Sequence, residues 1–144
     1  MSGVDVLERL RAHAGEVFDG SPVLFAYLFG SHARGTATAR SDVDVAVYLA
    51  DDSAPDDRLD LSLRLAGELE RACRIGPIEA LVVLNDARVA LAGRILEERQ
   101  VIYCRDEPAR VRFESVTFRQ FHDYELHAAP LRRQRLAAIA RGSH

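Results

Sequence analysis

Val23 to Phe29 is an unbroken apolar run of strand length, cut off at Gly30-Ser31. A segment so short and so apolar reads as a strand buried on both faces. A short helix to about Gly35 is expected behind the glycine. A second apolar strand, residues 43–49, follows Ser41-Asp42, and a third, residues 78–84, follows the break at Gly76-Pro77. Between these strands the apolar spacing becomes helical. Val6, Leu7, Leu10, Ala14 and Val17 form one stripe over about 4–18, ended by Asp19-Gly20-Ser21-Pro22. Leu59, Leu63, Ala66, Leu69 and Cys73 form another over about 56–74. A helix over about 87–98, a short strand at 101–104 and a helical remainder interrupted near Pro130 complete the pattern. Strands alternating with helices predict an α/β layer, and strands apolar on both faces call for helical cover on both sides or for packing against a dense helical layer.

The chain has 144 residues, enough for one domain with a real core. We expect a single domain over 1–144, with a core over about 4–106 and a helical C-terminal extension over about 107–144. No apolar run approaches the roughly 20 residues of a membrane helix, and residues 1–10 lack a signal-peptide pattern. A cytoplasmic location is therefore expected. Cys73 and Cys104 form neither a CxxC pair nor a zinc pattern and read as small core residues. All 19 basic residues are arginine, and the net charge is −3. So mild an acidity does not point to direct nucleic-acid binding. The charge is uneven, however. Residues 109–144 hold 7 Arg against 3 acids, a balance of +4, against −7 for the rest. The tail is thus a candidate contact for an acidic partner, with Arg132, Arg133 and Arg135 either favouring a helix C-terminus or docking that partner.

Two short stretches carry chemistry. Gly30-Ser31 ends a strand and opens a helix, where free backbone N–H groups and the positive end of the helix dipole point outward. That arrangement seats phosphate, and glycine allows close approach. Asp42 and Asp44 are separated by one residue at the start of a strand, so both carboxylates point to the same side. Two hard oxygen ligands side by side suit Mg²⁺, and two such ions about 4 Å apart clamp the attacking and leaving oxygens of an in-line displacement. Without a cation, two like charges opening an apolar strand would be costly.

Gly30-Ser31, ten intervening residues and Asp42-Val43-Asp44 resemble the GSX10DXD signature of minimal nucleotidyltransferases of the DNA polymerase β superfamily. The match is closest to the antitoxins paired with HEPN-domain ribonuclease toxins. Leu84-Asn85-Asp86-Ala87 and the passage from Ile95-Leu96 to Val101-Ile102-Tyr103 resemble the same subgroup; the likeness covers about residues 20–106. It implies a mixed β-sheet packed on helices and Mg²⁺-dependent use of ATP, with two ions. It also implies AMP transfer to a tyrosine of a HEPN toxin bound in a hetero-oligomer. By the same resemblance Gly30 and Ser31 hold the triphosphate, Asp42 and Asp44 bind metal, and Arg40 and Ser41 beside them assist. The chain departs from the family at the third carboxylate, whose position is Ala80. Glu79 stands one residue earlier, which in a regular strand faces the other side. Either a bulge turns Glu79 toward the aspartates as a third metal-binding and catalytic carboxylate, or that ligand is missing and Glu79 simply meets water.

The remaining candidates have plainer readings. The acids Asp51, Asp52, Asp56, Asp57 and Asp60 read as a solvated loop and helix start at the far end of the strand from Asp42. His32 reads as surface polarity, with a nucleotide contact as the alternative. His13, His122 and His127 lack metal spacing. Tyr103, Tyr124 and Phe113, Phe118 and Phe121 read as core or partner contacts, and Gly142-Ser143-His144 as either native or an added tail. Three functions compete: AMP transfer to a protein partner, nucleotide transfer to a small molecule such as an aminoglycoside, and neutralisation of the toxin by binding alone, which Ala80 keeps open.

Overall fold

The computed structural model describes residues 3–50 and 54–140, with the side chains of 5–50 and 54–128. Helix α1 (Gly3–Phe18) leads into strand β1 (Val23–Phe29), the short helix α2 (Ser31–Arg34) and strand β2 (Asp44–Leu49). Helix α3 (Pro55–Cys73), strand β3 (Val82–Val83), a 3₁₀ turn (Leu84–Asp86) and helix α4 (Val89–Glu98) follow, then strand β4 (Gln100–Cys104) and helix α5 (Glu107–Ala140). The sheet is mixed, in the order β3-β2-β1-β4. β1 runs antiparallel to β2 and β4, and β2 runs parallel to β3.

The apolar run at 23–29 takes the middle of the sheet because both of its faces can be buried. On one face Ala26 and Leu28, with Val43, Val45, Val47 and Leu49, meet Val6, Leu10 and Ala14 of α1 and Leu65, Leu69 and Cys73 of α3. On the other, Phe25, Tyr27 and Ala46 meet Ile95 and Leu96 of α4, with Phe113 of α5 packed against them. Helices therefore cover both faces, as the two-sided apolar strands require. Burial pushes the Cys73 thiol up to about 11, as expected of an inert core cysteine. Cys104 is half-buried instead, its Sγ donating to Glu107.

Three features differ from the sequence reading. The third strand is two residues long, not seven. Its approach is held by other bonds: the Val43 amide donates to the Pro77 carbonyl (2.9 Å) and the Ile78 amide to Glu70 Oε1 (2.6 Å). Beyond it the Asn85 side chain replaces a strand neighbour, accepting from the Leu49 amide and donating to the Leu49 carbonyl, both at 2.9 Å. The second difference is α5, which runs through Pro130 without a break. A proline costs an interior helix one hydrogen bond, and the helix-forming residues on both sides, Leu126 to Ala129 and Leu131 to Arg135, continue it. The side chains of Arg132, Arg133 and Arg135 lie outside the described residues, as do Asp51, Asp52 and Gly142-Ser143-His144. The third difference lies on α3, where Leu59 and Leu63 of the expected stripe are exposed and Leu65 is buried beside Ala66, Leu69 and Cys73.

Helix α5 is pinned to the sheet by a polar anchor. The Tyr27 hydroxyl donates to Glu114 Oε2 at 2.7 Å, and Arg99 and Arg110 pair with the same carboxylate. Burial, then the Glu114 bond, push the Tyr27 hydroxyl well above its ordinary pKa, so it remains a donor. Arg110 is thus spent inside the fold, which reduces the free positive charge of the tail. Helices α4 and α5 meet where Gly93 leaves room for a ring: a methyl group on Gly93 would stand 2.2 Å from Phe121. Gly93→Ala should destabilise the protein by about 1–3 kcal/mol, read as a lower midpoint in urea. An unchanged midpoint would mean that the two helices are free to separate there.

Candidate active site

Gly30 ends β1 with φ 76° and ψ −158°, a conformation open to glycine and strained for other residues. The turn lets the chain enter α2 at Ser31, and Gly35 closes that helix in the left-handed region. It also brings backbone against a carboxylate: a methyl group on Gly30 would lie 2.2 Å from Asp44 Oδ2. Phe29 and Asp44 are register partners across β1 and β2. The antiparallel pairing thus delivers the glycine-serine turn to the first residue of the aspartate strand.

Asp42 lies two residues before Asp44, outside the ladder and exposed, while Asp44 is half-buried. Burial and then the Asp42 carboxylate hold the Asp44 carboxyl above its usual range; Glu98 pushes the same way, against His32 and Arg34. Ionised together, Asp42 and Asp44 repel each other in a partly dehydrated place, which a divalent cation relieves. The donor set fits such an ion: two neighbouring hard carboxylates, one of them open to water. Among the described residues no group of three or more His, Cys, Asp or Glu is arranged to hold a metal.

Glu79 is exposed, in extended chain ahead of β3. Ile78 and Leu81, three residues apart, are both buried in the same core cluster, while Glu79 and Ala80 between them are both exposed. Regular strand alternation would send Ile78 and Leu81 to opposite faces, so the alternation is broken at Glu79-Ala80.

Ser41 and Arg40 sit in the loop before Asp42. Ser41 Oγ accepts from the Thr38 amide at 2.8 Å, and the Arg40 amide donates to Thr38 Oγ1 at 3.3 Å. The Arg40 side chain is exposed. His32 is not surface polarity, as its place on a four-residue helix suggested. It is 6% exposed, and its Nε2 lies 3.2 Å from the Ser41 carbonyl oxygen, tying α2 to the aspartate loop.

One contributor escaped the sequence reading. Glu98, the last residue of α4, accepts from the Gly30 amide (Oε2, 2.9 Å) and from Arg34 Nη1 (Oε1, 2.7 Å). A carboxylate in the last turn of a helix opposes the helix dipole, and that misfit was the available signal. His13, His122 and His127 are exposed.

The model of the polymerase beta nucleotidyltransferase family matches residues 15–108. No curated protein sequence matches the chain. Among solved structures, a chain of a toxin–antitoxin complex with AMP-PNP is similar at 20% identity, TM-score 0.63, covering 94% of this chain and 99% of that one. A chain of the complex between tri-AMPylated Shewanella oneidensis HEPN toxin and MNT antitoxin is similar at 17% identity, TM-score 0.65, covering 90% and 98%. A chain of a MntA–HepT toxin–antitoxin complex is similar at 18% identity, TM-score 0.64, covering 90% and 98%. Likenesses at such identities establish a shared fold.

Proposed function

The chain belongs to the polymerase β nucleotidyltransferase family, and on that premise we propose that it is an antitoxin that transfers AMP from ATP to a tyrosine of a HEPN-domain ribonuclease toxin. The observation that carries this reading is the contact between the Gly30 turn and Asp44, with Asp42 beside it: a phosphate seat and a carboxylate pair built into one wall. The similar structures support it. One contains AMP-PNP and another an AMPylated HEPN toxin, and each is matched over nearly its whole length. Among the described residues no helix is long and apolar enough to cross a membrane.

Gly30 and Ser31 hold the triphosphate, the glycine by yielding space and the serine through its amide and hydroxyl at the start of α2. Asp42 and Asp44 hold Mg²⁺, which when bound supplies positive charge for the phosphates and for an ionising hydroxyl. Arg40 and Ser41 shape the loop that carries Asp42. The tyrosine oxygen attacks the α-phosphorus, the bond to the β-phosphate oxygen breaks, and pyrophosphate leaves. The tyrosine proton must go elsewhere, since a free tyrosine with a pKa of about 10 is protonated at neutral pH. Glu79 is the candidate to take that proton or to complete the metal shell; it forms no three-residue group with Asp42 and Asp44 as it stands, so either role requires its exposed segment to turn toward them.

Calorimetry with Mg·ATP tests the binding half of the proposal. Wild type should bind, and metal chelation should abolish most of the heat; the absence of binding would sink the reading. Glu79→Gln should slow AMP transfer about a hundredfold or more, within the usual contribution of general acid–base groups. A second reading, neutralisation by covering the toxin, draws on the absence of a third clustered carboxylate among the described residues. Transfer unaffected by Glu79→Gln would remove Glu79 from the chemistry, and a wild type that silences the toxin without transfer would establish the second reading.

A further inference from the structure

Glu98 is placed where simple electrostatics would not put it. It ends α4, where the helix dipole favours a cation, and its charge adds to the pressure on Asp44. Its side chain keeps 31% of its exposure, so a neutral polar residue would fit there without either conflict. What the carboxylate gains is two bonds: the Gly30 amide on one oxygen and Arg34 on the other. The first is the more telling. Gly30 holds a backbone conformation of its own, and the Glu98 bond fixes the amide plane leading into it.

We propose that Glu98 is a positioning residue of the nucleotide site, which reaches from the end of α4 to lock the Gly30 peptide so that Ser31 and Asp44 face one triphosphate. The inference rests on the reading of this site as an ATP site. Arg34 is the second point of the same brace. It leaves α2 on its last turn and meets the same carboxylate, so one side chain grips the helix at its entry and its exit. Without the brace Gly30 is freed to sample the wide backbone space open to glycine. The donors of the phosphate seat then spend most of their time away from productive geometry, and a misplacement of about 1 Å is enough to be costly.

Two measurements together test this. The first is hydrogen exchange of the Gly30 amide by NMR, without nucleotide. Glu98→Ala should speed it at least about tenfold, the size of one lost hydrogen bond to a charged group. Glu98→Gln, which keeps an acceptor for that amide, should leave it within about threefold of wild type. The second is Mg·ATP affinity at a temperature where circular dichroism shows every variant folded. Glu98→Ala should weaken it about tenfold or more, and Glu98→Gln should restore most of the loss. Should Glu98→Ala not fold, Glu98→Asp takes its place with the same expectations, since it keeps the charge but is one methylene short of Gly30. Unchanged exchange in Glu98→Ala would overturn the proposal. So would faster exchange with unchanged ATP affinity, which would reduce Glu98 to a structural tie. A wild type that shows the exchange difference among its variants yet binds no Mg·ATP would overturn the functional reading itself.

Discussion

Replacing Asp42 and Asp44 together by asparagine should cut AMP transfer by about a thousandfold or more while leaving the metal-free protein at least as stable as wild type. On the proposed function, the loss would reflect the several kcal/mol of charge stabilisation that a properly held metal brings to a phosphoryl group. The stability expectation follows from the Asp44 carboxyl, which burial and Asp42 hold above its ordinary range. A raised carboxyl means that its ionised form opposes folding. Asparagine removes the charge and keeps the shape. The check is a transfer assay beside thermal melting in chelator. If the double variant melts well below wild type, the aspartates hold the fold together and their loss says nothing about a metal. If transfer persists, the chemistry lies elsewhere.

Gly30→Ala should lower stability by about 2 kcal/mol and transfer by at least about a hundredfold. Two costs combine. Alanine at φ 76° is strained. Its methyl group would also stand 2.2 Å from Asp44 Oδ2 and 3.1 Å from Cγ, so the carboxylate itself must move. Gly35→Ala is the control, for Gly35 has a similar φ of 78° but nothing within 4 Å of the added carbon. It should show the cost of a left-handed φ without a clash, a smaller backbone cost than at Gly30 because its ψ is 17° and not −158°, with transfer near wild type. Equal loss of transfer in both variants would mean that glycine matters here for the backbone of α2 and not for the contact with Asp44. Melting curves and initial rates separate the two outcomes.

Much of the architecture was legible in the chain because it rests on local signals. The apolar run at Val23–Phe29 had to be a central strand, and the four-residue spacing of Val6, Leu10 and Ala14 had to be a helix face. The Gly30-Ser31 and Asp42-Asp44 stretches were joined by their resemblance to the GSX10DXD signature; the pairing of β1 with β2 that sets Gly30 against Asp44 is seen only in the fold. What was not legible depends on contacts between distant segments. Glu98 is 68 residues from the amide it holds, and nothing near it in sequence announces Gly30. His32 looked superficial because a four-residue helix has no periodicity to reveal its inner side; it is the Ser41 carbonyl that draws it in. The segment ahead of β3 was read as strand from its apolar residues. Its hydrogen bonds go instead to Val43 and to the Glu70 side chain, and Asn85 closes the end of β2. Pro130 read as a break from its own chemistry, yet α5 runs through it.

Transfer of AMP onto a protein partner through Asp42 and Asp44 is read off by weighing that partner. The protein is incubated with the HEPN-domain toxin proposed as its partner and Mg·ATP, and the intact toxin is then measured by mass spectrometry, with the Asp42→Asn/Asp44→Asn variant in parallel. Wild type should leave the toxin heavier by whole AMP units, and the variant should leave its mass unchanged. A toxin of unchanged mass that is nonetheless silenced by wild type would contradict such transfer.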